Sequence, residues 1–196
     1  MTNSRLSGCA KYKYTSFVRR AREVFSLSYA LRRGIIRTTN QEFDEVNGMK
    51  AVFGESSCID SWMQLVRKVS WNFPGLETEE SIDEHKQTVL RFMSKKQALC
   101  VRDQETVVGI LLFSRSRNMI CCLAVAPEYR KQGLASILMR KALDELDRSK
   151  EITVSTFREN DEKGTAPRAL YRKFGFREDK LTEEFGYPNQ VFVLRP

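Results

Sequence analysis

The sequence is poor in metal ligands. Its 196 residues include one histidine, His85, and five cysteines (Cys9, Cys58, Cys100, Cys121, Cys122) in no metal-binding spacing. Zinc sites of the Cys/His type need four such ligands in close pairs, so no metal is expected. No run approaches eighteen apolar residues, which excludes a membrane-spanning helix. The opening MTNSRLSGCAKYKYTSF has no uninterrupted apolar core, so it does not read as a secretory signal. A cytoplasmic protein without disulfides is therefore expected. With ten Gly and five Pro, the chain is neither collagenous nor of low complexity. Its 41% hydrophobic and 30% charged residues describe a globular chain, long enough for one domain with a full core.

The net charge of +8 is unevenly placed. Residues 1–40 hold nine Lys/Arg and one acid, Glu23, whereas basic and acidic residues balance from position 41 onward. Basic character thus belongs to an N-terminal extension, taken as residues 1–45, ahead of a domain at 46–196. In the extension Phe17, Ala21, Val24 and Phe25 follow helical spacing, with Arg19, Arg20 and Arg22 interleaved, and Gly34 is a natural stop. Interleaved aromatics and arginines suit contact with nucleic acid or an anionic surface, so a binder acting through residues 1–40 is one functional class to weigh. The extension is also Arg-rich and acid-poor, like an organelle transit peptide.

From about residue 49 the pattern sharpens. Lys50–Phe53 reads as a short strand. Ile59, Trp62, Met63, Val66 and Val69 mark an amphipathic helix that Asn72-Phe-Pro-Gly75 ends. Ser81-Ile-Asp-Glu84 has capping-box form and opens a second helix through Val89 and Met93. Leu99–Arg102 and Val107–Phe113 form a hairpin about Asp103-Gln-Glu105. Met119–Ala126 is apolar throughout, as in a strand covered on both faces. A helix over Leu134–Leu146, a strand over Glu151–Phe157, a helix with Pro167 in its first turn and Gly175 at its C′ position, and strands at Phe176–Arg177 and Gln190–Leu194 complete the order. The last two are expected to flank a Gly186-Tyr-Pro-Asn189 turn. The fold class is α/β, with a single mixed central sheet flanked by helices.

The stretch that carries chemistry is Leu123-Ala-Val-Ala-Pro-Glu-Tyr-Arg-Lys-Gln-Gly-Leu-Ala-Ser136. A strand ends, a turn follows, and a helix begins at a glycine. Helix N-termini present unpaired N–H groups and the positive end of the dipole, so they attract anions. Gly133 lets a phosphate approach the backbone, Ala135 keeps the next approach small, and Arg130 and Lys131 add positive charge. A phosphate or pyrophosphate cradle is the physical expectation. The pattern is neither the P-loop nor the three-glycine dinucleotide fingerprint.

Arg130-Lys-Gln-Gly133-Leu-Ala135 resembles the Arg/Gln-x-x-Gly-x-Gly/Ala signature of the GNAT N-acetyltransferases. Ala169-Leu-Tyr-Arg-Lys-Phe-Gly-Phe176 is similar to the family's later helix, and the element order also matches over about three quarters of the chain. The resemblance implies an acetyl-CoA-dependent transferase acting on a primary amine. It implies that Arg130, Lys131, Gln132, Gly133, Leu134, Ala135 and Ser136 hold the coenzyme pyrophosphate, and that the strand edge at Leu123, Ala124 and Val125 pairs with the pantetheine arm. Tyr171 is implied as the acid that protonates the leaving thiolate. An amine that attacks a thioester needs donors for the oxyanion and a proton for the sulfur, which fits these roles.

The sequence departs from the family twice. The position seven residues before the tyrosine, often Asn, is Gly164; Asn160, earlier in the same loop, is the candidate for that coenzyme contact. The Ile120–Val125 strand has no Glu to serve as base, so deprotonation through water is expected. A coenzyme-binding sensor without turnover is the alternative this absence suggests. Of the remaining residues, His85 reads as a half-buried structural histidine, and Cys121 and Cys122 as small hydrophobes on opposite faces of a buried strand. Trp71 and Phe73 are loop residues placed to wall an acceptor pocket or to anchor the core. Glu183 and Glu184 are a solvated pair or an attraction for a cationic acceptor. A monomer or homodimer is expected, with no membrane partner.

Overall fold

An eight-stranded mixed sheet runs through residues 45–196, the residues that the computed structural model describes. Every described residue belongs to one compact unit, Phe43–Pro196. The basic extension and its expected helix near Phe17–Phe25 lie outside the described residues.

Strands β1 (Glu45–Val46) and β2 (Met49–Phe53) form a tight hairpin. Their register sets Glu45 opposite Lys50 and Val46 opposite Met49. Helix α1 (Ile59–Val69) buries Trp62, Met63, Leu65, Val66 and Val69, the apolar face read from its spacing. Helix α2 (Glu79–Ser94) starts earlier than Ser81-Ile-Asp-Glu84 suggested. Its cap is Thr78, whose Oγ1 accepts from the Ser81 N–H at 3.1 Å, while Ser81 Oγ accepts from the Thr78 N–H at 3.1 Å. Ser81 is thus the inner partner of the box, and Glu79 and Glu80 sit at the positive helix end, where carboxylates are favoured.

Strands β3 (Ala98–Asp103), β4 (Thr106–Ser114) and β5 (Met119–Val125) are consecutive antiparallel neighbours. Helix α3 (Leu134–Asp144) packs on β2–β5, and α1 and α2 pack on β4 and on each other. Strand β6 (Ile152–Phe157), helix α4 (Thr165–Lys173), β7 (Arg177–Glu184) and β8 (Tyr187–Leu194) finish the chain in the sheet order β1-β2-β3-β4-β5-β6-β8-β7. Helix α4 ends as its sequence indicated: the Gly175 N–H donates to Arg172 O and the Phe176 N–H to Tyr171 O, a Schellman closure. The core gathers Trp62, Leu111, Phe113, Leu138, Phe176 and Phe192, all essentially inaccessible.

Two expectations for the strands need correction. Strand β7 is eight residues long, not a Phe176–Arg177 stub, and it meets β8 at a two-residue turn, Phe185–Gly186, so Tyr187, Pro188 and Asn189 belong to β8. As the outermost strand it needs only backbone pairing on one side. Its charged, solvated side chains therefore carry no apolar alternation to read. Strand β5 is not covered on both faces: Cys121 is exposed and Leu123 half-buried.

That exposure follows from the decisive feature of the sheet. Strands β5 and β6 are parallel and pair only at Met119↔Thr153 and Ile120↔Val154. Beyond them the strands diverge, leaving Cys121–Val125 and Ser155–Phe157 without each other. Asn118 pins the closed end. Its Nδ2 donates to Asp147 O and Glu151 O, both at 2.9 Å, and its Oδ1 accepts from the Asp147 N–H at 2.9 Å. The sheet is thus tied at one end and open as a wedge at the other.

Candidate active site

The wedge opens toward the start of α3. After β5 a short turn at Pro127–Tyr129 leads into Arg130–Gly133, and α3 begins at Leu134. Two positions here have left-handed backbone, Lys131 at φ 61° and Gly133 at φ 89°. Glycine adopts that conformation freely, and left-handed positions of this kind are what build a nest, a loop whose N–H groups can converge on an anion. The Gly133 carbonyl accepts from Ser136 N (2.8 Å) and Ile137 N (3.2 Å), leaving the amides of Gly133, Leu134 and Ala135 at the helix entrance without intrahelical acceptors. The side chain of Gln132 is occupied in building the loop: its Nε2 donates to Glu128 O at 3.2 Å and its Oε1 accepts from Asn47 Nδ2 at 3.4 Å. Only its backbone is therefore open to a ligand. Arg130 and Lys131 are exposed, and Lys173, from the end of α4, reaches Ser136 Oγ at 3.4 Å.

Hydrogen-bond parity decides which part of the β5 edge is available. The Ala126 N–H donates to Val108 O at 2.9 Å, so the polar backbone groups of Ala124 and Cys122 also point at β4. Those of Leu123 and Val125 point into the wedge. Of the three expected edge residues, Leu123 and Val125 turn their N–H groups into the wedge, and Ala124 has a small, buried side chain. The Val125 carbonyl is taken by Arg130 Nε at 3.3 Å.

Tyr171 lies on α4, buried, with its ring tilted against Phe176 (6.0 Å between centroids) and Phe192 (5.9 Å). Burial pushes its phenol well above the usual range, and the nearby Cys122 thiol, on β5, adds to the shift. The hydroxyl makes no hydrogen bond among the described residues. It is a neutral donor beside the wedge. Cys122 is pushed up to about 12 by burial and Cys121 to about 11, so neither supplies a thiolate nucleophile near neutral pH. Burial also holds His85 below the ordinary imidazole range, in keeping with a half-buried structural role.

Gly164 explains the missing asparagine. A Cβ there would stand 2.9 Å from Arg158 O and 3.2 Å from both Arg168 Cδ and Phe157 Cβ, so no side chain fits without backbone movement. Asn160 is exposed in the preceding loop and lines a cavity of about 550 Å³ with Arg158, Asp161, Glu162, Lys163, Tyr187 and Pro188. A second cavity, of about 340 Å³, lies between the α1–α2 loop and Tyr187, lined by Trp71, Phe73, Pro74, Leu76 and Glu77. Lys163 and Tyr187 belong to both. The groove they form adjoins the wedge: Tyr187 packs edge-on against Phe157 at the end of β6 (5.4 Å), and Glu184, on the same hairpin, raises the Cys121 thiol on the free edge of β5.

Sequence reasoning missed Arg168. It is buried one helical turn before Tyr171, and its Nη1 donates to Gln190 Oε1 (2.8 Å) and Phe157 O (3.3 Å) while Nη2 meets Glu178 (3.2 Å). It locks α4 onto β6, β7 and β8. An arginine in a short polar helix carries no signal of this, because its partners come from three other elements.

A parallel strand pair splayed beside a glycine-started helix, with a buried tyrosine next to it, forms a cleft with free backbone N–H groups at its edge and at the helix start. Residues 94–178 match the model of the acetyltransferase (GNAT) domain. Solved structures share its fold. A GNAT-family acetyltransferase from Bacillus cereus ATCC 10987 is 17% identical with a TM-score of 0.59, over 75% of this chain and 96% of that one. The PaiA N-acetyltransferase of Thermoplasma acidophilum, in complex with coenzyme A, is 16% identical with a TM-score of 0.56, over 76% and 99%. RimL, a ribosomal L7/L12 α-N-protein acetyltransferase, also in complex with coenzyme A, is 14% identical with a TM-score of 0.58, over 78% and 97%. No curated protein matches the sequence.

Proposed function

We propose that this protein transfers an acetyl group from acetyl-CoA to a primary amine by direct attack. The observation that carries the reading is the wedge between β5 and β6 ending at the Lys131–Gly133 nest. The coenzyme complexes of PaiA and RimL support it. The residues fit the coenzyme. Backbone amides from Lys131 to Ala135 hold the pyrophosphate, with Arg130, Lys131 and Ser136 around it, and the edge groups of Leu123 and Val125 pair with the pantetheine arm. Bound there, the coenzyme supplies an acyl thioester.

An N–H of the β5 edge donates to the thioester oxygen, where negative charge grows as the amine attacks. The burial that raises the Tyr171 phenol keeps it protonated, so it holds a proton ready for the departing sulfur. No carboxylate on β5 faces the reacting position, and water carries the amine proton away. The groove between the α1–α2 loop and the β7–β8 turn admits the amine.

The test is calorimetric titration with acetyl-CoA, followed by thiol release in the presence of an amine panel. Acetyl-CoA binding with turnover of at least one amine is expected. No binding overturns the reading, and binding without turnover across the panel leaves a coenzyme sensor.

A further inference from the structure

The acceptor groove has an asymmetric charge arrangement. Lys163 lines both of its cavities, and its Nζ stands over two rings, 5.7 Å from the centroid of Phe157 and 5.6 Å from that of Tyr187. It makes no ion pair among the described residues. Of the carboxylates around it, Glu162 lines the larger cavity exposed and without an ion pair among the described residues, while Asp161 and Glu77 are otherwise engaged. Asp161 accepts from the Tyr187 hydroxyl and from the Lys163 backbone N–H (2.9 Å), and Glu77 accepts from the Gly75 N–H at 2.9 Å. The other nearby cation, Arg158, donates to Asn189 O (3.3 Å) and Thr182 O (3.2 Å). Lys163 therefore faces the groove without an ion pair among the described residues, although the Asp161 carboxylate is near enough for the two charges to interact. Aromatic faces attract its ammonium but accept none of its three hydrogens as an oxyanion would.

The remaining wall is flat and apolar. Trp71 is 62% exposed at the rim, and Phe73, Pro74, Leu76 and Tyr187 line the smaller cavity. Its 340 Å³ lies at the small end of the range for small-molecule sites. Such a wall rewards a ring.

We infer that the accepted amine carries an anionic group, carboxylate or phosphate, on an aromatic body, and that Lys163 binds the anion while Trp71, Phe73 and Tyr187 enclose the ring. The inference rests on the acetyltransferase reading and names its substrate class.

Three matched amines test it: tyramine, with no anion; tyrosine, with a carboxylate; and O-phosphotyramine, with a phosphate. At least one anionic amine is expected to exceed tyramine tenfold or more in kcat/KM, and the better of the two identifies which anion the site reads. Lys163→Met is expected to abolish that preference and Lys163→Arg to retain most of it. Acetyl-CoA affinity, measured on the same preparations, is expected to stay within about twofold, because the nest lies apart from Lys163. Tyramine equal to or better than both anionic amines overturns the inference. So does a preference that survives in Lys163→Met, or no turnover of any of the three while acetyl-CoA binds. Failure to bind acetyl-CoA at all is instead the failure of the acetyltransferase reading.

Discussion

Arg130 donates from Nε to the carbonyl oxygen of Val125 at 3.3 Å, joining the end of β5 to the turn before α3. This bond links the two halves of the site. One half is a row of backbone groups along the wedge, the other a cluster of N–H groups at a helix start. In the proposed reading, their separation must match the distance between the thioester and the pyrophosphate of acetyl-CoA. A guanidinium bridging strand and turn holds that distance without using the edge N–H groups, since it takes a carbonyl.

Gly133→Asp is expected to weaken acetyl-CoA binding tenfold or more, about 1.4 kcal/mol, with the fold retained. The substitution puts a side chain at φ 89° and a negative charge inside an anion site. Calorimetry on the variant checks it, and unchanged affinity in a folded variant removes the nest from the coenzyme site.

Tyr171→Phe keeps the packing on Phe176 and Phe192 and removes one hydroxyl. Turnover is expected to fall roughly 100-fold, near the low end for general acid catalysis, with acetyl-CoA affinity nearly intact. A second readout separates the phenol from packing. Its pKa is raised in the folded protein, whereas an unfolded tyrosine ionises near about pH 10. Below that pH both states hold the proton and the group contributes no pH dependence. Above it the unfolded chain loses the proton first, so stability falls as pH rises toward the folded value. Melting temperatures between pH 8 and about pH 11 are expected to drop less steeply in Tyr171→Phe than in the native protein.

Gly164→Asn is expected to destabilise rather than restore a coenzyme contact. Its Cβ would stand 2.9 Å from Arg158 O, a backbone atom that cannot swing aside. Overpacking of this kind costs about 1–3 kcal/mol, a drop of several degrees in melting temperature. Tighter acetyl-CoA binding in a variant of native stability would contradict this.

Removing residues 1–42 is expected to leave a folded protein that binds acetyl-CoA with native affinity. The charge of the remainder nearly balances, and the compact unit that holds the sheet begins at Phe43. Cutting at Gly48 instead deletes β1 and the Asn47–Gln132 contact and is expected to weaken coenzyme binding. Aggregation of the longer product would show that the basic segment belongs to the core.

Much of the scaffold was legible in the residues because local physics dictates it. The apolar spacing of Ile59–Val69 specified a helix face, Gly175 a Schellman stop, and Leu123–Ser136 a strand running through a turn into a helix start. Each depends on neighbours a few positions apart. What the tertiary structure alone decided depends on distant groups. The β5–β6 wedge exists because pairing ceases after Ile120, a relation between strands that no spacing encodes. Only that ladder shows that Leu123 and Val125, and not Ala124, turn their amides outward. Strand β7 was unreadable because an edge strand is held by its backbone. Lys163 gained its place between Phe157 and Tyr187, and Arg168 its place among Phe157, Gln190 and Glu178, from segments 6 to 24 positions away that only folding brings together. Helix starts and stops are settled by the chain's nearest neighbours, whereas the charge and shape of a groove are settled by whichever surfaces the core forces to meet.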